Sequence, residues 1–289
     1  MSIQLIPYKP AGTIGSGPYV LREYKPDTGV DISALSITYT GAYTDYGMVT
    51  MSDGARYRLL AFTGSGTLSI EQPVNCEVCV VGGGSDGWAA GSSGGGAGGA
   101  GAYLKNQSVS AYNGGSVVVG AREGASSIAD VSVNKVAGFM PSSNGGTGAG
   151  GDTAGTGDGI SKYPFEDTGY SLWAGKPHCG GGGQGAYVRE NGPNDIQGYK
   201  GGNGGTNGGN GYSRGSNQVS NPSGGVGGSY GGGAGGGGTT VRGGNATYYG
   251  SGGGGGRYRV KADGNVGEGL GGKGYQGIVY MRIPEDQAA

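Results

Sequence analysis

The sequence predicts a mostly β and irregular fold with essentially no α-helix, in which short β-strands flank a packed bundle of glycine helices of the polyproline-II type. Three observations predict it. Glycine supplies 76 of the 289 residues; nine of these glycines precede residue 82, and the other 67 lie between Gly82 and Gly277. No window has the apolar period of an amphipathic helix. The glycine-rich part ends in an apolar segment, residues 278–283, that is typical of a core strand.

The part of the chain before the glycines divides in two. Residues 1–45 are expected to form an attachment or lead segment, and four prolines there exclude a long helix. Residues 46–81 are expected to form a β-hairpin region. Its strands would be residues 56–63 and 67–70, joined by a Gly-Ser-Gly turn. A further strand at residues 76–81 would lead directly into the first glycines.

Residues 82–277 are expected to be ordered, because a flexible linker would not carry so many of the 20 tyrosines or end in a core strand. Collagen is excluded, since the glycine spacing shifts repeatedly and proline totals only 11. Single polyproline-II helices have no internal hydrogen bonds, so each N–H and C=O needs a partner in a neighbouring helix. Only glycine allows that close approach on all sides. The variable loops would connect the helices, and residues 278–289 would form a closing strand and tail.

The charge balance excludes several partners. The chain has 19 Lys and Arg against 20 Asp and Glu, so we expect no nucleic-acid partner. No stretch approaches the ~18 apolar residues of a membrane span, so no membrane insertion is expected. The first residues lack a basic region followed by an apolar one, which predicts synthesis without a secretory signal.

Metal and cofactor sites are not predicted. Cys76 and Cys79 have the C-x-x-C spacing of a metal or redox site, and Cys179 follows His178. In a strand, however, positions i and i+3 face opposite ways, so the first two thiols would not converge. The G-x-G-x-x-G match at residues 96–101 is not followed by a helix that could bind a phosphate.

An enzyme is not predicted either. His178 is the only histidine, and no G-x-S-x-G elbow accompanies it. Paired carboxylates can cleave glycosides. The acids at Asp152, Asp158, Glu166 and Asp167 are, however, more simply read as solvated loop residues.

The order of the motifs between residues 46 and 283 resembles the glycine-rich domain of many bacteriophage tail-fibre proteins. The matching features are an aromatic strand pair at residues 57–70, Val-Val-Gly-Gly-Gly at 80–84, Gly-Ala-Gly-Ala-Tyr-Leu at 99–104, Val-Val-Val-Gly-Ala at 117–121, glycine runs, and Gly-Ile-Val-Tyr at 277–280. Distal adhesins of T-even-like phages are similar, with a bundle of polyglycine-II helices whose loops at one end bind host surface proteins.

This resemblance implies a virion adhesin, or receptor-binding protein, at the tip of a tail fibre, made in the host cytoplasm. Its expected partners are a tail-fibre or baseplate protein of the same virion and a bacterial outer-surface protein or polysaccharide. Two other functions stay open: a purely structural fibre or baseplate component without receptor binding, and a tail-associated glycan depolymerase.

Receptor contacts are expected from aromatic and arginine side chains in the segments between glycine runs, because these types dominate interface hot spots. The strands near residues 57–70 and 278–283 would pair at the fibre-proximal end, leaving the opposite loops for recognition. Alternatively, the rings cap the helix ends and shield the backbone from water. The predicted receptor-binding residues are Trp88, Tyr163, Phe165, Tyr170 and Trp173, with Arg189, Tyr212, Arg214 and Tyr248.

Overall fold

The computed structural model contains β-strands and extended segments and, in the part of the chain that it describes, no α-helix. One short 3-10 turn, Pro164–Glu166, is present. The prediction of a fold with essentially no α-helix is therefore confirmed for these residues. The structure describes residues 31–89, 98–99, 101–133, 163–183, 185, 187–192, 195–199, 233–234, 242–254, 256, 258–260 and 266–286.

An eight-stranded antiparallel sheet, called here the large sheet, contains the apolar core. Its order is β2-β3-β12-β4-β5-β6-β7, and β1 pairs with the first half of β4. The long strands β4 and β5 carry irregularities in their register near Val74. The strands are β1 (Ile37–Tyr39), β2 (Tyr43–Thr50), β3 (Arg56–Phe62), β4 (Gly66–Val81), β5 (Leu104–Val118), β6 (Ser126–Ile128), β7 (Val131–Val133) and β12 (Ile278–Pro284).

The predicted hairpin between β3 and β4 is wrong, because the C-terminal strand β12 lies between them. Tyr280 of β12 is opposite Ala61 of β3 on one side and Cys79 of β4 on the other. The pairing of the closing strand with this region is confirmed. β3 instead forms its hairpin with β2, which begins at Tyr43, so the predicted boundary between residues 45 and 46 falls inside a strand.

Both faces of the large sheet are buried at its centre, along β3, β12 and the second half of β4. One face carries Phe62, Val80 and Val279, and the other carries Leu59 and Cys79. The strands β3, β4 and β12 are therefore apolar at successive positions, as is typical of strands covered on both sides. Residues near 32–35 and strands β6 and β7 pack on the first face, and residues 163–179 pack on the second.

A small four-stranded sheet has the order β11-β10-β8-β9. β10 pairs with β8 in parallel, and the other two pairs are antiparallel. These strands are β8 (Tyr187–Gly192), β9 (Asp195–Tyr199), β10 (Tyr258–Val260) and β11 (Val266–Glu268).

Backbone hydrogen bonds join the glycine segments side by side, and they recur at every third residue. The Gly84 N–H donates to the Tyr275 carbonyl (2.8 Å). Three residues further on, Gly87 donates to Gly272 (2.8 Å), three residues before Tyr275. This step differs from the period of two in a β-strand. Three further pairs of hydrogen bonds show the same three-residue step. In the first pair, the N–H groups of Gly99 and Ala102 donate to the carbonyls of Gly253 and Gly250. In the other two pairs, Gly253 and Gly256 donate to Ser85 and Trp88, and Tyr275 and Gly272 donate to Ser251 and Gly254.

The described residues of the range 250–256, which we call the central segment, are surrounded by other glycine segments. A strand in a sheet has hydrogen-bonded neighbours on two sides only, whereas here the backbone groups must point outward all round the segment. Its backbone is hydrogen-bonded to six described segments, which lie on residues 84–88, 98–102, 179–183, 233–234, 242–246 and 269–277.

The segments approach so closely that a side chain would not fit between them. A Cβ built on Gly253 would overlap with the Gly272 carbonyl, and one on Gly254 would overlap with the Ala234 carbonyl. A Cβ on Gly182 would in turn overlap with the Gly253 carbonyl. Glycine is required here for close approach of backbones, not for an unusual turn.

Candidate functional site

The glycine segments have two ends, named here the sheet end and the tip. At the sheet end, Gly82 and Gly277 adjoin strands β4 and β12 of the large sheet. The tip lies at Trp88, further along the first segment. Residues 269–277 run antiparallel to residues 84–88, as their hydrogen bonds show, so the beginning of that segment also lies at the tip.

The tip exposes two large apolar side chains on a fixed backbone. Trp88 is 44% exposed and Leu270 is 63% exposed. The Trp88 carbonyl accepts a hydrogen bond from Gly256 (3.0 Å), and a Cβ on Gly271 would meet the backbone of Gly87 and Trp88. The Trp88 and Leu270 side chains therefore project from two glycine segments that lie side by side. The small sheet adjoins this end, since β10 and β11 begin and end within two residues of Gly256 and Gly269.

At the sheet end, residues 163–179 form a segment that we call the clasp, and Asp167 anchors it. Its carboxylate accepts hydrogen bonds from the Ser52 N–H (3.1 Å), the Ser52 hydroxyl, and the Gly169 and Tyr170 N–H groups (3.0 Å each). Its carbonyl accepts one from the Trp173 indole N–H (2.6 Å). Burial raises the pKa of Asp167, but the hydrogen bonds outweigh it and hold the pKa below its usual value. The carboxylate thus ties the clasp to the turn between β2 and β3.

Phe165 attaches the clasp to the large sheet. Its N–H donates to the Asn106 side chain (3.0 Å), and its φ of 54° places it in the left-handed region. The Arg282 guanidinium lies 4.5 Å from the Phe165 ring and 4.3 Å from the Tyr57 ring, and it forms an ion pair with Glu77 (2.9 Å). A strained backbone is tolerated where such contacts hold it.

A chain of aromatic contacts runs from the clasp to the protein surface. Trp173 packs on Tyr280 at 5.4 Å between ring centroids, and the Tyr280 hydroxyl is 3.0 Å from His178 Nε2. Burial lowers the pKa of His178 to about 4. His178 is therefore neutral at pH 7. The chain continues from His178 to Tyr248 (5.0 Å), from Tyr248 to Tyr249 (5.7 Å) and from Tyr249 to Tyr275 (5.7 Å).

Five tyrosines at this end form what we call the tyrosine surface. Burial raises the pKa of Tyr170, Tyr248 and Tyr249, and the nearby Tyr46 phenol raises it further in each case. Tyr46 is 41% exposed and Tyr275 is 38% exposed, while the other three are half-buried. The tyrosine surface consists of Tyr46, Tyr170, Tyr248, Tyr249 and Tyr275.

The structure separates the predicted receptor-binding residues into two groups. Trp88 lies at the tip, whereas Tyr163, Tyr170 and Tyr248 lie half-buried at the sheet end. Phe165 and Trp173 are core residues, with exposed fractions of 9% and 0%.

The burial of Phe165 and Trp173 corrects the expectation that their rings are displayed for binding. Each would have to leave the second face of the large sheet to reach a ligand. The alternative reading, in which rings pack and shield the backbone, fits these two residues. Arg189 lies on β8, where only the backbone is described, and Tyr212 and Arg214 lie outside the described residues.

Leu270, Tyr46, Tyr249 and Tyr275 were missed by the sequence analysis. Leu270 stands alone among glycines, which is itself a signal, because a large apolar residue there has no local side chains to pack against. Tyr46 follows no glycine run, so only the fold brings it to the other tyrosines.

The cysteines are all buried, and Cys76 and Cys79 belong to the cores on opposite faces of the large sheet, as their spacing predicts. Within the described ranges, no group of three or more His, Cys, Asp or Glu side chains is arranged to bind a metal ion. The same part of the chain contains no helix long and apolar enough to span a membrane.

Comparisons with protein families, with curated proteins and with solved structures found no match to this chain.

Proposed function

We propose that this chain is the host-recognising adhesin of a bacteriophage tail fibre, and that its glycine segments form a bundle of polyglycine helices of the polyproline-II type. The bundle carries the recognition loops at the tip. The large sheet, at the other end, adjoins a tail-fibre or baseplate protein of the virion. The observation that carries the proposal is a glycine scaffold that exposes two large apolar side chains, Trp88 and Leu270, at the end of its segments away from the large sheet.

The three-residue step of the hydrogen bonds supports the polyglycine bundle. A polyproline-II helix has three residues per turn and points its backbone groups sideways. Equivalent groups therefore face the same neighbour at every third residue, as they do between residues 84–88 and 272–275. The six segments around residues 250–256 fit the same geometry, because a threefold helix can bond to neighbours all round.

The exposure of Trp88 and Leu270 supports recognition at the tip. A preorganised scaffold lowers the entropy cost of binding, and tryptophan is enriched in hot spots. Arg189, Tyr212 and Arg214 remain in the proposed receptor-binding set, and Arg189 lies on β8 of the small sheet, which adjoins the tip. The receptor would be a bacterial outer-surface protein or polysaccharide.

The test measures adsorption of the purified, fluorescently labelled protein to intact cells of a panel of bacterial strains. The wild type should bind a subset of strains, and a Trp88→Ala/Leu270→Ser variant should lose at least tenfold in affinity, because two hot-spot side chains each contribute about 1 kcal/mol or more. Val118→Ser is the matched control, since Val118 is 40% exposed on the large sheet, outside the glycine segments.

The two other functions give different results in the same assay. A structural fibre component would bind none of the strains, yet would assemble with its fibre partner. A depolymerase would release soluble sugar from the cells. Equal binding by the wild type and the tip variant would contradict recognition through Trp88 and Leu270.

A further inference from the structure

The tyrosine surface lies at the sheet end, away from the tip, and the proposed adhesin role of the tip does not use it. It combines residues from distant parts of the chain. Tyr46 is on β2, Tyr170 is on the clasp, and Tyr248, Tyr249 and Tyr275 flank the central segment. Their assembly therefore depends on the fold.

Contacts with buried side chains fix the positions of the tyrosine rings. Tyr170 packs edge-on against the buried Trp173 at 4.8 Å between centroids, and Tyr248 packs edge-on against the buried His178 at 5.0 Å. Tyr249 contacts both His178 (5.8 Å) and Tyr275 (5.7 Å). Side chains fixed in this way lose little entropy when they bind a ligand.

The chemistry of the surface is uncharged and amphipathic. Burial raises the pKa of Tyr170, Tyr248 and Tyr249 above the usual value of 10.0, so their phenols stay neutral at physiological pH. A neutral phenol both donates and accepts hydrogen bonds, and its ring offers an apolar face. A sugar ring has the complementary chemistry, with C–H groups on its faces and hydroxyls on its rim.

We propose that Tyr46, Tyr170, Tyr248, Tyr249 and Tyr275 form a binding surface for neutral carbohydrate chains. Sugar rings stack on the exposed faces of Tyr46 and Tyr275, and their hydroxyls exchange hydrogen bonds with the phenols between them. Such a surface binds glycan independently of the tip. No covalent step is involved.

The experiment uses the full-length protein on an array of immobilised neutral bacterial polysaccharides and neutral hexose oligosaccharides. The wild type should be retained on at least one neutral glycan, and Tyr46→Ala/Tyr275→Ala should reduce retention at least tenfold. Tyr43→Ala is the matched control. Tyr43 is 36% exposed on the same strand, but its ring packs on Tyr39 and Phe62 of the opposite face. This variant should bind within twofold of the wild type.

A second pair of measurements separates this proposal from that for the tip. The Trp88→Ala/Leu270→Ser variant should keep its glycan retention, and thermal melting should show that Tyr46→Ala/Tyr275→Ala remains folded. Retention of the wild type on no neutral glycan would overturn the carbohydrate surface, as would equal retention by the double tyrosine variant. Neither result would affect recognition at the tip. Loss of retention in the Tyr43→Ala control would also overturn it, because the effect would then not be specific to the tyrosine surface.

Discussion

At the scale of single residues, Asp167 determines the position of the clasp. The side chain is 9% exposed and accepts hydrogen bonds from two separate parts of the chain, the Ser52 turn and the Gly169–Tyr170 backbone. Its carbonyl also accepts the Trp173 indole N–H. A hydrogen bond to a charged carboxylate stabilises the folded protein more than a hydrogen bond to a neutral acceptor. The lowered pKa of Asp167 indicates that the folded protein favours the ionised carboxylate.

Asp167→Asn should lower the free energy of unfolding by roughly 1–3 kcal/mol, because the amide nitrogen cannot accept a hydrogen bond and leaves a part-buried donor without its partner. Urea denaturation followed by circular dichroism measures the change. Glu166→Gln is the control: Glu166 is the neighbouring acid, but it is exposed, and its loss of charge should change stability by less than 0.5 kcal/mol, about the scatter of surface substitutions. Equal effects of the two variants would show that Asp167 does not anchor the clasp.

The two tryptophans of the chain have opposite roles. Trp173→Ala removes a fully buried side chain from the second face of the large sheet and should destabilise by about 3–5 kcal/mol. Trp88→Ala at the tip should leave the unfolding midpoint nearly unchanged, since the ring is 44% exposed. Thermal melts by circular dichroism compare them. A Trp173→Ala variant as stable as Trp88→Ala would place Trp173 outside the core.

At the scale of elements, the sequence predicts the strands better than their partners. The apolar run at residues 278–283 predicts β12, because a short unbroken apolar segment suits a buried strand. The hairpin prediction is wrong because the local sequence pattern favours pairing of β3 with the next strand along the chain. In the structure, β12 from the C-terminal part of the chain lies between β3 and β4. Nothing in residues 56–70 encodes that insertion.

The role of the clasp could have been predicted from the strands themselves. Residues 59–62 and 78–81 are apolar at successive positions, which requires cover on both faces of the sheet. Aromatic residues elsewhere in the chain must supply that cover, and Phe165 and Trp173 do so. Their position among glycine runs suggested instead that they had no core to join. The tyrosine surface could not be predicted, because it depends on contacts between β2, the clasp and the central segment.

The glycine segments give a sharp prediction about single methyl groups. Gly253→Ala should destabilise the protein by several kcal/mol or prevent folding, because the Cβ would overlap with the Gly272 carbonyl and separate the segments, leaving backbone groups unpaired at about 1–3 kcal/mol each. Gly82→Ala is the matched control. Its Cβ would meet Val133 at 3.4 Å and Ala102 at 3.5 Å, which is ordinary contact.

Soluble yield and melting temperature would compare the two variants. A Gly253→Ala protein that melts with the wild type would contradict the close packing of the segments, whatever their helical form. If Gly82→Ala were as damaging as Gly253→Ala, the loss would reflect general intolerance of alanine and not the lack of space.

At the scale of the whole molecule, two kinds of packing meet at one junction. The large sheet is stabilised by apolar burial, and the glycine segments by backbone hydrogen bonds. The aromatic chain through Trp173, Tyr280, His178 and Tyr249 spans the junction, so the clasp joins the two parts. The glycine segments thereby carry Trp88 and Leu270 at the end away from the large sheet.

His178 should dominate the pH dependence of stability of the whole protein between pH 7 and pH 5. It is the only histidine, and the carboxylates Asp31 and Asp167 have lowered pKa values and ionise below this range. The pKa of His178 is about 4 in the folded protein and 6.5 when exposed on unfolding. As the pH falls below 6.5, the unfolded state binds a proton that the folded state excludes, so stability decreases.

The expected loss is about 2 kcal/mol from pH 7 to pH 5, since each unit of pH in this range contributes about 1.4 kcal/mol. Urea denaturation at several pH values measures it, and the single imidazole resonance in an NMR titration should not shift above pH 5. In His178→Gln, the amide can still contact the Tyr280 hydroxyl. The free energy of unfolding of this variant should no longer decrease between pH 7 and pH 5. A wild-type protein of constant stability over this range, or an imidazole that titrates near pH 6.5, would show that the ring is not enclosed between the sheet and the central segment.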